Sequence, residues 1–462
     1  MTTEVWQSGL RDYQVEAVSR VVEALPGRGR GNIVMACGSG KTIVSIRCAD
    51  LLAGGCDDSV LVLAPSLALL EQLYQAWREH SGQQFDAVAV CSNQEMGQDG
   101  HEPGEMDLEV TTDPARLAEV LAGSLGQGPT VVFATYHSSP VVAEATTAQG
   151  HTWTLTICDE AHRTAGKAGA TFTTVLSDAQ IPSTMRLFVT ASPRVHGALS
   201  RAGREEYVSM DNEGIYGPRL FTYTLGQGIS EGWLSDYRVV VMVVKSDEVF
   251  RSISHDAGVT WDGKAVQASR AAGIVGLLRA IDENNLQRVI VFHNTISASR
   301  HFANDLKYIS RGQGTPVASS HLDGLASPAA RNLALDSLRD PGDSVSVVNN
   351  VRVLGEGVDI PALDGVMFAE PKSSQVDVIQ AVGRAVRRNP HRDAPSLVIV
   401  PVYLAEGENP ETVLEASSFK HVWQVMNALR AHDSALDVEF ANIRRNPYDP
   451  AHAEYEPGVL PE

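Results

Sequence analysis

The sequence predicts an α/β protein with two tandem domains, each built on a parallel β-sheet flanked by helices. Short runs rich in β-branched residues alternate with longer helical patterns from Ile33 onward, and this alternation restarts after a break near residues 225–235. Parallel strands need crossover connections, usually helices, so the alternation is typical of such sheets. The chain of 462 residues is also long enough for two or three domains.

The predicted strands fall into two groups. Those of the first domain are the runs NIVMA, SVLVLAP, TVVFATY, LTICDE and MRLFVTA. Those of the second domain are RVIVFHN, TPVASSHLDG, VSVVNN, GVMFAEP and SLVIVPV. Between two strands of the first group, Leu67–His80 carries Leu70, Leu73 and Trp77 at helical spacing, so we expect that helix to face the core.

The domain boundaries follow from changes in pattern. We expect the first domain at residues 1–228, the second at 229–403, and a helical extension with a loosely held tail at 404–462. The stretch TLGQGISEGWLSDY at the first boundary is rich in glycine, which suits a connection better than a central strand. Segments 92–114 and 245–264 look like surface insertions, and the sequence indicates no function for either.

Charge limits the kind of partner. Lys plus Arg number 37 and Asp plus Glu number 56, which gives a formal net charge of −19. This balance argues against a protein that coats nucleic acid nonspecifically, because its surface as a whole repels phosphate. Any contact with phosphate must therefore be local.

The cysteines and apolar segments indicate the compartment. The five cysteines are Cys37, Cys48, Cys56, Cys91 and Cys158. They form no CxxC pair, which disfavours zinc, iron–sulfur and disulfide scaffolds and favours a reducing compartment. No uninterrupted apolar stretch approaches the roughly 18 to 20 residues that span a bilayer. We expect a soluble cytoplasmic protein without membrane contact.

The strongest local signal is MACGSGKT at Met35–Thr42, which follows the apolar run NIVM and precedes a helical pattern. This is the context of a phosphate-binding loop. Gly38 and Gly40 let the backbone curl so that its amides face phosphate, Lys41 reaches the β and γ phosphates, and Thr42 offers its hydroxyl to magnesium. The residues expected to bind the nucleotide here are Cys37, Gly38, Ser39, Gly40, Lys41 and Thr42. The alternative is a glycine-rich turn without a ligand.

Two carboxylates close the run LTICDEAH. Asp159 and Glu160 would lie at the carboxyl end of a strand, beside the phosphate-binding loop. Asp159 is predicted to bind magnesium, and Glu160 to orient and deprotonate the attacking water. The alternative for an isolated DE pair is a helix N-terminal cap.

Three motifs together carry a family resemblance. DEAH, TASPR at Thr190–Arg194 and QAVGRAVRR at Gln380–Arg388 resemble the superfamily 2 helicases. The resemblance extends from Leu10 to about Val402, and it is closest to bacterial DEAD/DEAH-box proteins related to the translocation subunits of type I and type III restriction enzymes. It implies two RecA-like domains, an ATP site in the cleft between them, and ATP with Mg²⁺ as cofactors. The first glycine of the strict loop motif is Met35 here, a departure that helicases often share.

Other nucleotide and coupling residues follow from the same resemblance. LRDYQ resembles the adenine-recognition motif, in which Gln14 would bind the base edge with support from Arg11; an amphipathic helix start is the alternative. Thr190 and Ser192 would link hydrolysis to movement of the strand, although the family more often has Thr-Ala-Thr, and turn formation before Pro193 is the alternative.

The resemblance also implies residues that contact the nucleic-acid backbone. They belong to APSLALLEQ and ATYHS in the first domain and to VFHNT and HLDG in the second. The residues are Pro65, Ser66, Thr135, Tyr136, His293, Asn294, Asp323 and Gly324. Ordinary loop capping is the alternative for the first-domain residues, and no histidine is assigned to catalysis.

In the second domain, LGEGVDIP resembles the motif that links nucleotide and nucleic acid, with Gly357 and Asp359 near the ribose or the magnesium shell. The resemblance adds Gln380 to the catalytic set. Arg384 and Arg387, three apart on an expected helix, would reach the γ phosphate as arginine fingers, which raise hydrolysis by about 10³ to 10⁵. A basic, solvated helix end is the alternative.

These inferences converge on an ATP hydrolase that moves along nucleic acid, a helicase or translocase. By family likeness DNA is favoured over RNA and movement is 3′ to 5′, while partner proteins would supply nuclease or sequence specificity. The alternative is an ATP-gated clamp or scaffold that controls the assembly of partners without unwinding. Stimulation of ATP hydrolysis by nucleic acid distinguishes the two.

Overall fold

A computed structural model provides the structure of the chain. The residues that it describes are 6–91, 108–123, 128–167, 170–195, 207–244, 258–261, 264–312, 316–324, 326–351, 363–371, 375–388, 394–404, 412–413, 416–420, 422–423 and 453–455. The chain divides into two compact units at Thr224 and Leu225. Each unit is described by itself.

The first unit contains an eight-stranded sheet, a two-stranded sheet and six α-helices among its described residues. Its strands are β1 (Arg30–Met35), β2 (Ser59–Ala64), β3 (Asp86–Val90), β4 (Glu109–Thr111), β5 (Thr130–Thr135), β6 (Trp153–Cys158), β7 (Gly166–Lys167), β8 (Ser183–Thr190), β9 (Tyr207–Val208) and β10 (Arg219–Tyr223). Its α-helices are α1 (Asp12–Arg28), α2 (Lys41–Leu52), α3 (Leu67–His80), α4 (Pro114–Ala122), α5 (Ser139–Gln149) and α6 (Glu213–Tyr216). Short 3₁₀ turns occupy Tyr136–Ser138, Ala161–Thr164 and Thr171–Leu176.

Eight strands of the first unit form one parallel sheet in the order β10-β1-β8-β6-β2-β5-β3-β4. The central strands are buried along most of their length, as expected for a parallel sheet covered on both faces. One face packs on α1, α2 and α3 through residues such as Leu25, Leu70 and Trp77. The other face packs on α5 and the adjoining turns through Tyr136, Trp153 and Tyr216.

The second unit repeats this design. Its strands are β11 (Tyr237–Val244), β12 (Gly258–Trp261), β13 (Lys264–Gln267), β14 (Arg288–Phe292), β15 (Val317–Leu322), β16 (Val345–Asn350), β17 (Gly365–Phe368), β18 (Ser396–Leu404) and β19 (Ala453–Tyr455). Its helices are α7 (Leu225–Ser230), α8 (Ala268–Asn284), α9 (Ile296–Gly312), α10 (Pro328–Arg339) and α11 (Gln375–Ala385).

Seven strands of the second unit form a parallel sheet in the order β15-β16-β14-β17-β18-β11-β19. Helices α8 and α9 cover one face, where Leu277, Phe302 and Leu306 are buried against Val289 and Ile399. The two-domain parallel α/β fold predicted from the alternating pattern is therefore confirmed.

Two details differ from the predicted insertions. Glu109–Thr111 lies inside the segment 92–114, yet it forms the edge strand β4, which pairs in parallel with β3. Within 245–264 and just beyond it, β12 and β13 form an antiparallel hairpin. Three- and four-residue strands are too short to show an alternating pattern, so periodicity does not reveal them.

In the ranges described above, no helix combines the length and the apolar composition needed to cross a bilayer.

Candidate functional site

The predicted nucleotide-binding motifs of the first unit meet at one edge of its sheet. The strands β1, β8 and β6 are neighbours, with Val34 opposite Thr190 and Cys158 opposite Phe188. Because the strands are parallel, their carboxyl ends lie on the same side, and the phosphate-binding loop, the DEAH segment and the TAS segment follow directly from them. In open α/β sheets this is the edge where ligands bind.

The loop between β1 and α2 has the backbone of a phosphate cradle. Gly38 and Gly40 have φ angles of +79° and +82°, in the left-handed region that glycine adopts without a Cβ clash. A Cβ on Gly40 would also overlap the amide of Gln14. Helix α2 begins at Lys41, so the loop presents a helix N-terminus, where backbone N–H groups and the helix dipole favour an anion.

Residues at the start of α1 hold this loop in place through hydrogen bonds. The Tyr13 hydroxyl and the Gln14 Nε2 both donate to the Ser39 carbonyl, at 2.8 and 2.9 Å. Gln14 Oε1 accepts from the Arg11 backbone N–H at 3.0 Å, and Arg11 Nη1 donates to the Tyr13 hydroxyl at 2.9 Å. A primary amide has two N–H donors and two acceptor lone pairs, so Gln14 keeps one of each for the edge of a base.

Tyr13 is a residue that sequence reasoning missed. It is buried and stacks on Tyr223 at the end of β10, with ring centroids 3.8 Å apart and an interplanar angle of 9°. The motif LRDYQ contains it, but its contact with Tyr223 joins positions far apart in the sequence. The stack ties the beginning of α1 to the edge strand, which fixes the residues behind the phosphate-binding loop.

The carboxylate of Asp159 lies at the end of β6 in a buried position. Its backbone N–H donates to the Leu63 carbonyl at 2.9 Å, and its Oδ1 accepts from the Glu160 N–H at 3.0 Å. Burial raises the pKa of Asp159 to about 7; the neighbouring Glu160 adds to this increase, and Lys41 opposes it. A carboxyl in this setting holds its negative charge best beside a cation, so Asp159 and the Thr42 hydroxyl at the start of α2 fit a nucleotide-bound magnesium ion.

Glu160 faces Lys41 across the same edge. Its Oε1 lies 4.0 Å from Lys41 Nζ, and both side chains are mostly buried. Glu160 has φ 46° and ψ 48°, and it is one of two non-glycine residues with positive φ among those described. Its side chain makes no capping hydrogen bond to the turn that follows, so the capping alternative does not describe it. Left-handed residues with a Cβ are strained and cluster at functional sites.

His162 joins the DEAH and TAS segments. Its Nδ1 lies 3.3 Å from Glu160 Oε2 and 3.0 Å from Thr190 Oγ1, and Thr190 Oγ1 accepts from the Ser192 N–H at 3.1 Å. Ser192 is buried, and its Oγ has no hydrogen-bond partner in the described part of the chain. His162, the fourth residue of DEAH, to which the sequence analysis gives no role, therefore lies between Glu160 and Thr190, and the coupling role of Thr190 stays a prediction.

The predicted nucleic-acid residues of the first unit serve mainly local structure. Pro65 and Ser66 are half-buried, and Ser66 Oγ caps α3 by accepting from the Leu69 N–H at 3.4 Å. Thr135 is buried, and its Oγ1 accepts from the Ser138 N–H at 3.3 Å. The capping alternative thus describes both hydroxyls.

Tyr136 departs from its predicted role. Its side chain is fully buried, and its hydroxyl donates to the Asp159 carbonyl at 2.7 Å. This corrects the expectation that the side chain contacts nucleic acid. A tyrosine in a short loop suggests an exposed ring, but here the 3₁₀ turn directs the ring into the core, where it packs against Phe172.

The corresponding residues of the second unit lie at the carboxyl ends of β14 and β15. His293 is buried, with Nε2 3.2 Å from Asn349 Oδ1. Asn294 is exposed; its backbone N–H donates to Glu370 Oε2 at 2.5 Å, and its Nδ2 to the Pro371 carbonyl at 2.8 Å. The exposed Asn294 side chain is open to a ligand, whereas the His293 ring is placed to support the sheet.

The loop after β15 contains a buried carboxylate and an exposed glycine. Asp323 Oδ2 lies 2.9 Å from His321 Nε2 and accepts from Arg300 Nη2 at 2.9 Å. The Arg300 side chain is 58% exposed, whereas that of Asp323 is 5% exposed. Gly324 is exposed, with open space where a Cβ would lie. The surface cation at this position is therefore Arg300, which no motif indicated.

The predicted arginines do not share one helix. Gln380 and Arg384 lie on α11 and are buried at 5% and 8% exposure. Helix α11 ends at Ala385, so Arg387 lies beyond it, where it forms an isolated antiparallel bridge with Leu234. This corrects the expected helical spacing, and the burial of Arg384 excludes a solvated helix end at that residue. Gly357 and Asp359 lie outside the described residues.

Two family models match the chain. Residues 7–195 match the res subunit of type III restriction enzymes, and residues 273–389 match the helicase conserved C-terminal domain. The first match lies in the first unit, and all but a few residues of the second match lie in the second unit.

Among curated relatives, two sequences described as a probable helicase of African swine fever virus are 26% and 27% identical to this chain over 393 and 394 residues. Each match covers 84% of this chain and 40% of the relative. The chain therefore spans about two fifths of the length of these relatives.

Among solved structures, the Type ISP restriction-modification enzyme LlaBIII bound to DNA has a TM-score of 0.77 and 29% identity, over 96% of this chain and 31% of that one. A nuclease-deletion mutant of the Type ISP enzyme LlaGI with a DNA substrate mimic has a TM-score of 0.64 and 27% identity, over 92% and 29% of the two chains. The Hef helicase domain of Pyrococcus furiosus shares the fold, with a TM-score of 0.52 and 16% identity over 88% and 98%.

Proposed function

Because the chain carries a superfamily 2 helicase core related to the translocation subunits of restriction enzymes, we propose that it hydrolyses ATP to move along DNA. Helicase cores of this family are driven by ATP, usually with Mg²⁺. The proposal concerns the core that this chain contains, since the relatives are much longer.

One observation of the first unit supports this function best. A glycine cradle at a helix N-terminus, a lysine and a pair of acidic side chains converge at the carboxyl ends of adjacent parallel strands. Phosphoryl transfer requires mainly positioning and stabilisation of charge, and this arrangement supplies both. The structural alternative, a glycine-rich turn without a ligand, does not account for buried acidic groups facing Lys41.

We assign the following roles within the first unit. The loop amides and Lys41 hold the β and γ phosphates, while Thr42 and Asp159 hold magnesium. Glu160 orients the attacking water and accepts its proton. Gln14, braced by Arg11, contacts the adenine, and Thr190 with Ser192 relays the state of the nucleotide through His162.

The second half of the chain supplies further residues under this proposal. Arg384 and Arg387 would stabilise negative charge on the γ phosphate in the transition state, and Gln380, which like Arg384 lies on α11, would belong to the same catalytic set. Gly357 and Asp359 would take part near the ribose or the magnesium shell by resemblance to the family. Loss of hydrolysis without loss of ATP binding in Arg387→Ala is the expected sign of such an arginine.

DNA is the proposed track. Two similar structures contain restriction enzymes with DNA or a DNA mimic, which supports DNA over RNA for this chain. The net charge of −19 means that the contact must be local, through exposed groups such as Asn294, Gly324 and Arg300. We further propose 3′ to 5′ movement, a cytoplasmic setting, and partner proteins that supply nuclease or specificity.

The decisive experiment measures steady-state phosphate release by the full chain with ATP and Mg²⁺, alone and with single-stranded DNA, duplex DNA or RNA. We expect DNA to raise turnover severalfold and the effect to weaken as salt rises. Glu160→Gln should lower kcat by about 10² to 10⁴ while retaining ATP binding, because it removes the general base. Lys41→Ala should lose both hydrolysis and tight ATP binding.

A second candidate function is an ATP-gated clamp or scaffold, which the strongly acidic charge balance favours. Such a protein would hydrolyse ATP at the same rate with and without nucleic acid. Turnover that is sensitive to Glu160→Gln but indifferent to all three nucleic acids would reject the translocase and support the clamp.

A further inference from the structure

The peptide that links Asp159 to Glu160 is held on both sides by hydrogen bonds. Its N–H donates to Asp159 Oδ1 at 3.0 Å, and its carbonyl oxygen accepts from the Tyr136 hydroxyl at 2.7 Å. A peptide group is planar and rigid, so fixing both atoms fixes the plane. The orientation of that plane determines the direction of the backbone at Asp159 and Glu160, and therefore where both acidic side chains begin.

The same peptide precedes a strained residue. Glu160 has φ 46°, a left-handed conformation that an L-residue with a Cβ adopts only when its surroundings impose it. The bond from Tyr136 constrains the carbonyl side of this peptide from outside the DEAH segment. Without it, the carbonyl would lose this partner, and we expect the peptide and the Glu160 side chain that follows it to shift.

Tyr136 is suited to a permanent role as donor. Its side chain is fully buried and rests against Phe172, with ring centroids 5.5 Å apart. Burial raises the pKa of the Tyr136 hydroxyl well above its usual value, so the group stays protonated. The hydroxyl can therefore donate to the Asp159 carbonyl throughout the working range of pH.

Tyr136 also connects this peptide to the surface. It is the first residue of the 3₁₀ turn Tyr136–Ser138. The second residue, His137, is exposed and makes an edge-to-face contact with the same Phe172 ring, with ring centroids 4.6 Å apart. Thr135 closes the turn by accepting from the Ser138 N–H. One face of a tight, hydrogen-bonded turn thus meets solvent while the other holds the Asp159 carbonyl.

We propose that Tyr136 is a positioning residue: its hydroxyl orients the Asp159–Glu160 peptide for hydrolysis and transmits contact at the exposed face of its turn to Glu160. The inference rests on the proposed ATP hydrolysis and names a residue that regulates it. Tyr136 does not touch the reacting atoms and acts through Glu160.

Tyr136→Phe in the full chain tests this, because it removes one hydroxyl and keeps the ring. We expect kcat for DNA-stimulated hydrolysis to fall on the order of tenfold or more, since small misplacements of catalytic groups have effects of this size. KM for ATP should change less than about twofold, because the phosphate-binding loop is untouched. Phe172→Leu, which keeps the hydroxyl but loosens the ring, should lower kcat less.

Tyr216→Phe is the matched control. Tyr216 is also fully buried in the same core, and its hydroxyl lies 2.9 Å from Thr164 Oγ1, in the turn that follows Glu160. Both variants lose one buried hydroxyl, so both should lower Tm by similar amounts. Only Tyr136→Phe should lower kcat; equal kcat losses in the two variants would assign the effect to general destabilisation and overturn the proposal.

A double variant supplies the second criterion. In a Glu160→Gln background, adding Tyr136→Phe should change the residual turnover by less than about twofold, because the group that Tyr136 positions is already disabled. Independent, multiplicative losses would contradict the proposal. The wild-type measurement distinguishes failure of the proposed function from failure of this inference. If the wild-type chain does not hydrolyse ATP, the proposed function is wrong. If DNA stimulates wild-type turnover and Tyr136→Phe has the same turnover, only the inference about Tyr136 is wrong.

Discussion

The two units place their functional side chains at the same edge of similar parallel sheets, yet the chemistry at the two edges differs. In the first unit, a glycine loop, Lys41 and two acidic residues meet, and each is held by contacts from another strand or helix. In the second, the edge contains amides, a buried histidine and the pair formed by Asp323 and Arg300, with Arg300 turned to solvent. Under the proposed function, the first edge binds the nucleotide with its magnesium ion, and the second edge contacts the phosphate backbone of DNA.

The comparison shows that the fold supplies the position and the residues at the strand ends supply the function. Parallel strands bring loops from distant parts of the sequence together in both units. Among the described strand ends, that of β1 in the first unit is followed by two positive-φ glycines, Gly38 and Gly40, the conformation expected of a loop whose backbone N–H groups bind phosphate. Replacing those glycines should therefore remove nucleotide binding without disturbing the second edge.

Among the variants that test this comparison, Gly40→Ala should have the largest effect. The new Cβ would overlap the Gln14 amide. The alanine would also have to adopt the left-handed φ of +82° that Gly40 has. We expect ATP affinity to fall by at least about tenfold, because the loop backbone is strained at a positive φ and the end of the Gln14 side chain must leave the Ser39 carbonyl. Each lost factor of ten in affinity corresponds to about 1.4 kcal/mol. Titration with a fluorescent ATP analogue measures this change.

Gly232→Ala is the control for backbone strain at a position where the new Cβ overlaps no other atom. Gly232 has a similar φ of +74°, but no atom lies within 4 Å of the place that a Cβ would occupy, and the residue belongs to the second unit. This variant should lose about 1 to 2 kcal/mol of stability from strain and keep its ATP affinity. Equal ATP affinities for the two variants would show that the packing of Gln14 against the loop is irrelevant to binding.

A smaller effect should come from the second edge. Arg300→Ala should weaken DNA binding and reduce the salt dependence of the affinity by about one phosphate contact, because a single exposed guanidinium is removed. Asp323→Asn should weaken binding less, since it loosens Arg300 without removing its charge. Fluorescence anisotropy with labelled single-stranded DNA at several salt concentrations gives both quantities.

Arg339→Ala is the matched control for Arg300. Arg339 lies in the same unit, is 51% exposed and pairs with Asp336 at 3.0 Å. A similar reduction in the salt dependence for Arg339→Ala would attribute the effect to total charge, and the distinction between the edge and the remaining surface of the second unit would fail.

The sequence predicted most of the architecture because its signals are local. Each strand run and the flanks of MACGSGKT are continuous segments, and the structure confirms the two parallel α/β units. The contact of His162 with Thr190 joins a 3₁₀ turn to β8, and that of Tyr13 with Tyr223 joins α1 to β10, so no spacing in the sequence reveals them. The burial of Tyr136 depends on the direction of a three-residue turn, and the position of Arg387 depends on where α11 ends.

The smallest expected effect is on the stability of the first unit. It tests whether a charge network away from the nucleotide-binding edge of the sheet stabilises this unit. Asp178 accepts from Arg186 Nη1 at 2.6 Å and pairs with Arg30 at 2.7 Å, and the Arg186 side chain is 1% exposed. Burial tends to raise the pKa of Asp178, but hydrogen bonds from Arg30 and Arg186 outweigh it and hold the pKa below the ordinary 3.8. Asp178→Asn should therefore lower stability by about 1 kcal/mol, or about 2 to 4 °C in Tm, a modest value because the carboxylate is largely exposed.

The pH dependence of that difference identifies its cause. A carboxylate with a lowered pKa stabilises the fold above its unfolded pKa, and this contribution is lost as the pH falls through the folded value. The Tm difference between wild type and Asp178→Asn should thus stay constant from about pH 7 to about pH 5 and shrink only as the pH passes below 3.8. Asp336→Asn, which removes an exposed partner of Arg339, should leave Tm unchanged within error. A difference for Asp178→Asn that persists unchanged under acid would mean that lost packing, and not the charge pair with buried Arg186, stabilises this part of the first unit.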